Sequence, residues 1–126
     1  MYQIDNQSRQ AVYEQIVQQV ERYVLTGVLS GGDKLPSVRS LSVQLRVNPN
    51  TVQRAYTELE RADVLVTAPG RGAFVCDRGA ELLKERRREM SLAELKALLA
   101  ELKLAGLTKS HILQIIEEAY QEGSHD

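Results

Sequence analysis

Cysteine and histidine are almost absent from this chain, and each scarcity removes a class of protein. The single cysteine, Cys76, cannot close an intramolecular disulfide, so no disulfide framework holds the fold. Two histidines, His111 and His125, give no cluster at zinc-ligand spacing, and no metal or other cofactor is expected. No stretch approaches the roughly twenty apolar residues of a membrane span. The opening MYQIDNQSRQ has neither the basic nor the apolar segment of a secretory leader. A cytoplasmic protein with no membrane partner is therefore expected. Paired carboxylates, a nucleophile beside a base, and a phosphate-binding loop are missing too: Gly31 and Gly32 lack the following Lys-Ser or Lys-Thr pair and a preceding strand. No enzyme is expected.

Net charge is also scarce, at −1 over 126 residues, which at first argues against a nucleic-acid partner. Its distribution answers the objection. Residues 1–33 carry two bases against four acids and residues 79–126 seven against nine, each −2, while residues 34–78 carry seven bases against four acids, or +3. The positive segment holds the most informative stretch, LPSVRSLSVQLRVNPNTVQRAY at Leu35 to Tyr56.

That stretch reads as a helix-turn-helix. Ser37 caps a short helix with Val38, Leu41 and Leu45 on one face, and Arg46 and Val47 form the turn. Asn48 caps a second helix, Pro49 takes the first helical position, where a missing N–H costs nothing, and Val47 staples onto Val52. Val52, Ala55, Tyr56 and Leu59 form the inner face, leaving Asn50, Thr51, Gln53, Arg54 and Thr57 outward. Asn and Gln pair with adenine edges, Arg with guanine or phosphate, and Thr with phosphate or the thymine methyl. Two short amphipathic helices also occur in folds that never meet DNA, so the neighbours matter.

Upstream, Tyr2 to Asn6 read as extended, and Ser8 is expected to cap a helix to about Thr26, striped by Val12, Ile16, Val17, Val20, Tyr23 and Val24 and stopped by Gly27. VLSGGDKLP reads as a tight surface loop. Downstream, VLVT and AFV read as strands around the turn APGRG, a wing whose Gly70, Arg71 and Gly72 suit close approach to a phosphodiester chain. A lone hairpin with a solvated arginine would carry no such meaning. Directly after a helix-turn-helix it does.

YEQI at Tyr13 to Ile16, LPSVRSLS at Leu35 to Ser42, and NPNTVQRAYTELE with GRGAFV together resemble the DNA-binding domain of the GntR family of bacterial transcription regulators, in register over about residues 8–76. The resemblance implies a DNA-contacting set of Ser37, Arg39, Asn48, Asn50, Thr51, Gln53, Arg54, Gly70, Arg71 and Gly72. The chain departs from the family pattern at Ala11, Asp63 and Ala73, where proline, glycine and threonine are usual. Asp63 still tolerates a left-handed helix end. A hydroxyl contact from position 73 is lost.

From Gly79 the composition turns to Leu, Glu, Lys and Arg. Arg86, Arg87 and Arg88, interspersed with Lys84, Glu85 and Glu89, read as a solvated helix face, with Leu82, Leu83 and Met90 as the apolar exceptions. Ser91 and Glu94 form a possible capping box, which leaves open whether the helix restarts there. Leu92, Leu95, Leu98, Leu99 and Leu102 then form a seam, Gly106 stops the helix, Thr108 caps the next, and Ile112, Ile115, Ile116, Ala119 and Tyr120 share one face. His111 reads as a surface or interface residue, His125 as part of a terminal tail, and Cys76 as a small hydrophobe closing the wing strand rather than an oxidant sensor.

The expected fold is mostly α with a small β-hairpin: a winged helix-turn-helix domain over residues 1–76, followed by a C-terminal αα-hairpin dimerisation region over 77–126. Leu92, Leu95, Leu98, Leu99, Leu102, Ile112, Ile115, Ile116 and Ala119 are its candidate interface. Within the family, so short and helical a C-terminal region resembles the YtrA-like branch, which implies repression of transporter operons. The expected function is a homodimeric, sequence-specific regulator, a repressor of a pseudo-palindromic operator, whose partners are double-stranded DNA, a second copy and a small-molecule effector without an identified site. The alternative is a winged-helix protein-interaction module with the leucine-rich helices as working surface.

Overall fold

The apolar stripe of the first helix decides where the core lies. In a computed structural model that describes residues 1–123, α1 spans Val12–Leu25 and buries Ile16, Val20 and Val24. Around it come α2 (Val38–Leu45), α3 (Pro49–Arg61), β1 (Leu65–Ala68), β2 (Gly72–Val75), α4 (Gly79–Leu104) and α5 (Lys109–Gly123). His125, read as part of a tail, lies outside the described residues. The element order is the expected winged helix-turn-helix followed by a helical pair. No described helix is long and apolar enough to cross a membrane.

Contacts divide the chain into two compact units, Met1–Arg87 and the segment from Arg88 onward. In the first, Leu41 from α2, Val52, Ala55, Tyr56 and Leu59 from α3, Val64 and Leu65 from the wing, and Val75 close on the α1 stripe. Leu83, from the second turn of α4, is buried there too, so this unit runs past Cys76.

One local reading needs correction. The first helix starts at Val12, with Ala11 as an N-cap that makes no side-chain bond, and not at Ser8. The Ser8 hydroxyl instead accepts from the N–H of Gln10 in a turn. The buried carboxamide of Gln15 explains why: it accepts from the N–H of Asp5 and donates to the carbonyls of Asp5 and Gln10 at 2.7 to 3.1 Å, holding the preceding chain in a non-helical path. Gln19 pairs with both backbone groups of Gln3, and Tyr2 packs edge-on against Tyr23 with ring centroids 5.6 Å apart.

The segment read as a tight surface loop is exposed over residues 30–34 and also pairs with the wing. Gly32 N–H donates to Val75 O, Val75 N–H to Asp33 O and Leu35 N–H to Ala73 O, so this segment lies along the edge of β2. Gly31 makes that approach possible, because a Cβ there would stand 2.8 Å from the Asp77 Cα. The wing itself is an antiparallel pair with Leu65 opposite Val75 and Ala68 opposite Gly72, each strand reaching one residue closer to the tip than expected. Pro69 and Gly70 take the central turn positions, with Gly70 at φ 75 and Arg71 N–H bonded to Ala68 O.

Arg86 stands exposed, as a place on a solvated helix face implies. It donates to the Ala62 carbonyl at 2.6 Å, satisfying an open acceptor at the end of α3.

The second unit holds the later turns of α4 and all of α5. α4 continues unbroken through Ser91, settling the open question of a restart: no proline or glycine interrupts residues 80–104, so the helical ladder outcompetes a mid-helix cap. Gly106 (φ 92) ends it, and Thr108 caps α5 by accepting from the N–H of His111. No residue of α5 is buried. Leu99, Leu107, Ile112, Leu113 and Ile116, with Lys103 and Lys109 at the rim, line a cavity of about 530 Å³.

Candidate nucleic-acid interface

The helix-turn-helix forms through the expected local bonds. Ser37 Oγ accepts from the N–H of Ser40 at 3.0 Å, and Asn48 Oδ1 from the N–H of Asn50 at 2.8 Å. Between the helices Arg46 adopts the left-handed conformation (φ 57, ψ 46), ending α2 so that Val47 can turn into the core. The Ser42 hydroxyl, buried in α2, donates to the Arg39 carbonyl at 2.8 Å. Asp63, at φ 60, ends the recognition helix in the left-handed geometry expected of it.

With Val52, Ala55, Tyr56 and Leu59 buried, α3 turns its polar side outward: Asn50, Gln53 and Arg54 are exposed and Thr51 is half-buried. Gln53 is steadied one turn on by a 3.3 Å bond to the Thr57 hydroxyl. Arg39 stands exposed in the first turn of α2. Ser37 and Asn48 are exposed as well, but each spends one side-chain oxygen lone pair on its cap. The Asn48 amide protons remain available as donors.

At the wing, Gly70 and Arg71 are exposed and Gly72 is half-buried at φ 115. The wing is tied to the end of α3 by a hydrogen bond from the Thr67 hydroxyl to the Glu60 carboxylate.

Two neighbours of the candidate residues escaped sequence reasoning. Lys34 pairs by a β-bridge with Phe74 and lies against Gly72, where a Cβ would come within 3.0 Å of the Lys34 side chain. Its only signal was its place in the basic segment. Tyr13, noticed only as part of YEQI, carries the guanidinium of Arg54 over its ring.

The remaining chemistry is quiet. Among the described residues no group of three or more His, Cys, Asp or Glu could hold a metal ion. Burial, then the carboxylates of Asp63 and Asp77, pushes the Cys76 thiol up, away from the reactive thiolate. Burial raises the Glu21 carboxyl even though Arg87 and Arg86 pull it down.

On the second unit, Leu92, Leu95, Leu98, Ile115, Ile116 and Ala119 are exposed, Leu98 by 56%, while Leu99, Leu102 and Ile112 are half-buried.

Known proteins match this arrangement along nearly its whole length. The family model of bacterial regulatory proteins of the gntR family matches residues 12–75. The HTH-type transcriptional repressor YtrA of Bacillus subtilis is 40% identical, over 94% of this chain and 91% of its own. YhcF, an HTH-type transcriptional regulator of the same bacterium, is 38% identical, over 95% of this chain and 99% of its own. The crystal structure of a transcriptional regulator from Oenococcus oeni superposes with a TM-score of 0.78 at 36% identity, covering 93% of this chain and 97% of that one. With the caps, the outward polar face of α3 and the wing all in family register, the chain belongs to the GntR family of bacterial transcription regulators, which bind DNA through this domain.

Proposed function

We propose that the chain is a homodimeric repressor of a pseudo-palindromic operator. Asn50, Thr51, Gln53 and Arg54 read base edges, and Ser37, Arg39, Asn48 and the wing tip Gly70, Arg71 and Gly72 set position on the phosphate backbone. The observation that carries the reading is the outward face of α3, where Asn50, Gln53 and Arg54 stand exposed beside a buried apolar face. Such a set on the N-terminal half of a recognition helix suits the major groove. Repression follows the name of the YtrA relative, and an operon of transporter genes is what the resemblance to the YtrA-like branch implies.

Dimerisation is the work of residues 77–126, with a second copy of the chain as the occupant of the open faces of α4 and α5. The support is exposure: Leu92, Leu95, Leu98, Ile115 and Ile116 are each at least 40% exposed in the single chain, a large share of apolar side chains left open on one helical pair. A two-fold protein also matches two half-sites about one helical turn, or a multiple, apart. The site of action is the cytoplasm. A small-molecule effector would regulate such a dimer only by binding its DNA-competent and DNA-incompetent arrangements unequally.

Gel shift with the promoter of the protein's own operon tests the whole. Salt-dependent, sequence-dependent binding by a dimer is expected, with reporter expression falling when the protein is present. A folded dimer that binds no duplex would instead favour the protein-interaction reading.

A further inference from the structure

We propose that Tyr13 is a positioning residue for Arg54: the ring, presented by α1, holds the guanidinium in place for a base edge, so that α1 contributes to the sequence discrimination of α3. The inference rests on the reading of Arg54 as a base contact.

The guanidinium carbon of Arg54 lies 3.8 Å from the centroid of the Tyr13 ring, well inside the roughly 6 Å range of a cation–π contact. Among the described residues, Arg54 has no ion pair or hydrogen bond through its side chain. An exposed arginine otherwise samples many rotamers, and fixing it at the moment of binding costs affinity. Stacking occupies the face of the planar cation and leaves its in-plane N–H donors free, and these are the donors that meet guanine O6 and N7.

The platform is itself fixed. Tyr13 sits in the first turn of α1, half-buried and packed against the core that α1 shares with α3. Its hydroxyl donates to Glu14 at 3.2 Å, away from the stack, so the ring and not the hydroxyl carries the role.

The test uses the full chain and a duplex that the wild-type protein selects from a random-sequence pool, with single-base-pair variants of it and a scrambled duplex. Tyr13→Phe and Tyr13→Trp should bind as wild type. Tyr13→Leu and Tyr13→Met should lose about two- to five-fold on the selected duplex, the size of an exposed cation–π contact, with little change on the scrambled one. They should flatten the preference at the same base pair that Arg54→Ala flattens, and add no loss in the Arg54→Ala background. Thermal unfolding identifies which of the pair is folded.

Wild-type binding by a folded Leu or Met variant would overturn the proposal. So would equal loss on both duplexes, loss that persists without Arg54, or loss in the Trp variant alone. If Arg54→Ala itself binds the selected duplex as wild type, the base-contact reading of Arg54 falls first and takes this one with it. Loss from Arg54→Ala with neutral Tyr13 variants sinks only the present inference.

Discussion

The Tyr56 hydroxyl, on the recognition helix, donates to the carbonyl of Pro36 at 2.7 Å, fastening α3 to the chain just before α2. Tyr56 is buried, so its removal leaves that carbonyl without this partner. Tyr56→Phe should cost about 1 to 2 kcal/mol, read as a fall in denaturation midpoint at unchanged slope.

The burial of the Tyr56 phenol predicts a pH dependence. Burial, with Tyr2 nearby adding to it, pushes the Tyr56 phenol well above the usual tyrosine range. The unfolded chain then loses this proton first, from about pH 10. Its contribution is fully present below that pH and drains away as the solution is made more alkaline. Unfolding followed from pH 8 to 11 should show wild-type stability falling more steeply at the alkaline end than that of Tyr56→Phe.

Asn50→Ala and Arg71→Ala should separate reading from positioning. The first should cost about 1 to 3 kcal/mol on the best operator and relax the choice at one base pair. The second should weaken all duplexes alike and reduce the salt slope by about one. Equal behaviour of the two variants in a salt titration would reverse the assignment of helix and wing.

Gly31→Ala should destabilise the first unit by about 1 to 3 kcal/mol, because the new methyl meets the backbone of Asp77 at 2.8 Å and neither segment can yield alone. Gly27→Ala is a useful companion in the same denaturation series. It meets nothing within 4 Å and bears only the strain of φ 83.

Leu99→Asp combined with Ile116→Asp should yield monomers in sedimentation and abolish high-affinity operator binding. A dimeric, operator-binding double variant would place the interface elsewhere.

What sequence could and could not reveal here follows the range of the interactions. Ser37, Asn48, Pro49 and Gly106 act within a few residues of themselves, and their roles were legible as caps and stops. Asp63 was legible too, because its short side chain tolerates the left-handed turn. The start of α1 was not, because Ser8 offers a good local cap and only the distant bonds of Gln15 overrule it. The pairing of residues 31–35 with β2 had no periodicity to announce it. That Arg86 is solvated was legible, but its bond to Ala62 was not, because that acceptor is 24 positions away. At the candidate interface, residue types marked α3 and the wing, whereas Tyr13 under Arg54 depends on the packing of α1 against α3.

The carboxamide of Gln15 bears on how a minimal DNA-binding fragment should be cut. The family match spans residues 12–75, yet Gln15 and Gln19 suspend the chain before it, and buried Tyr2 and Leu83 lie on either side of those limits. A fragment trimmed to the match would expose the α1 stripe at one end and Val24 and Val75 at the other, where Gly79 packs. One retaining Tyr2 through Arg87 keeps those walls in place, and with them the Arg86 bond that closes the end of the recognition helix.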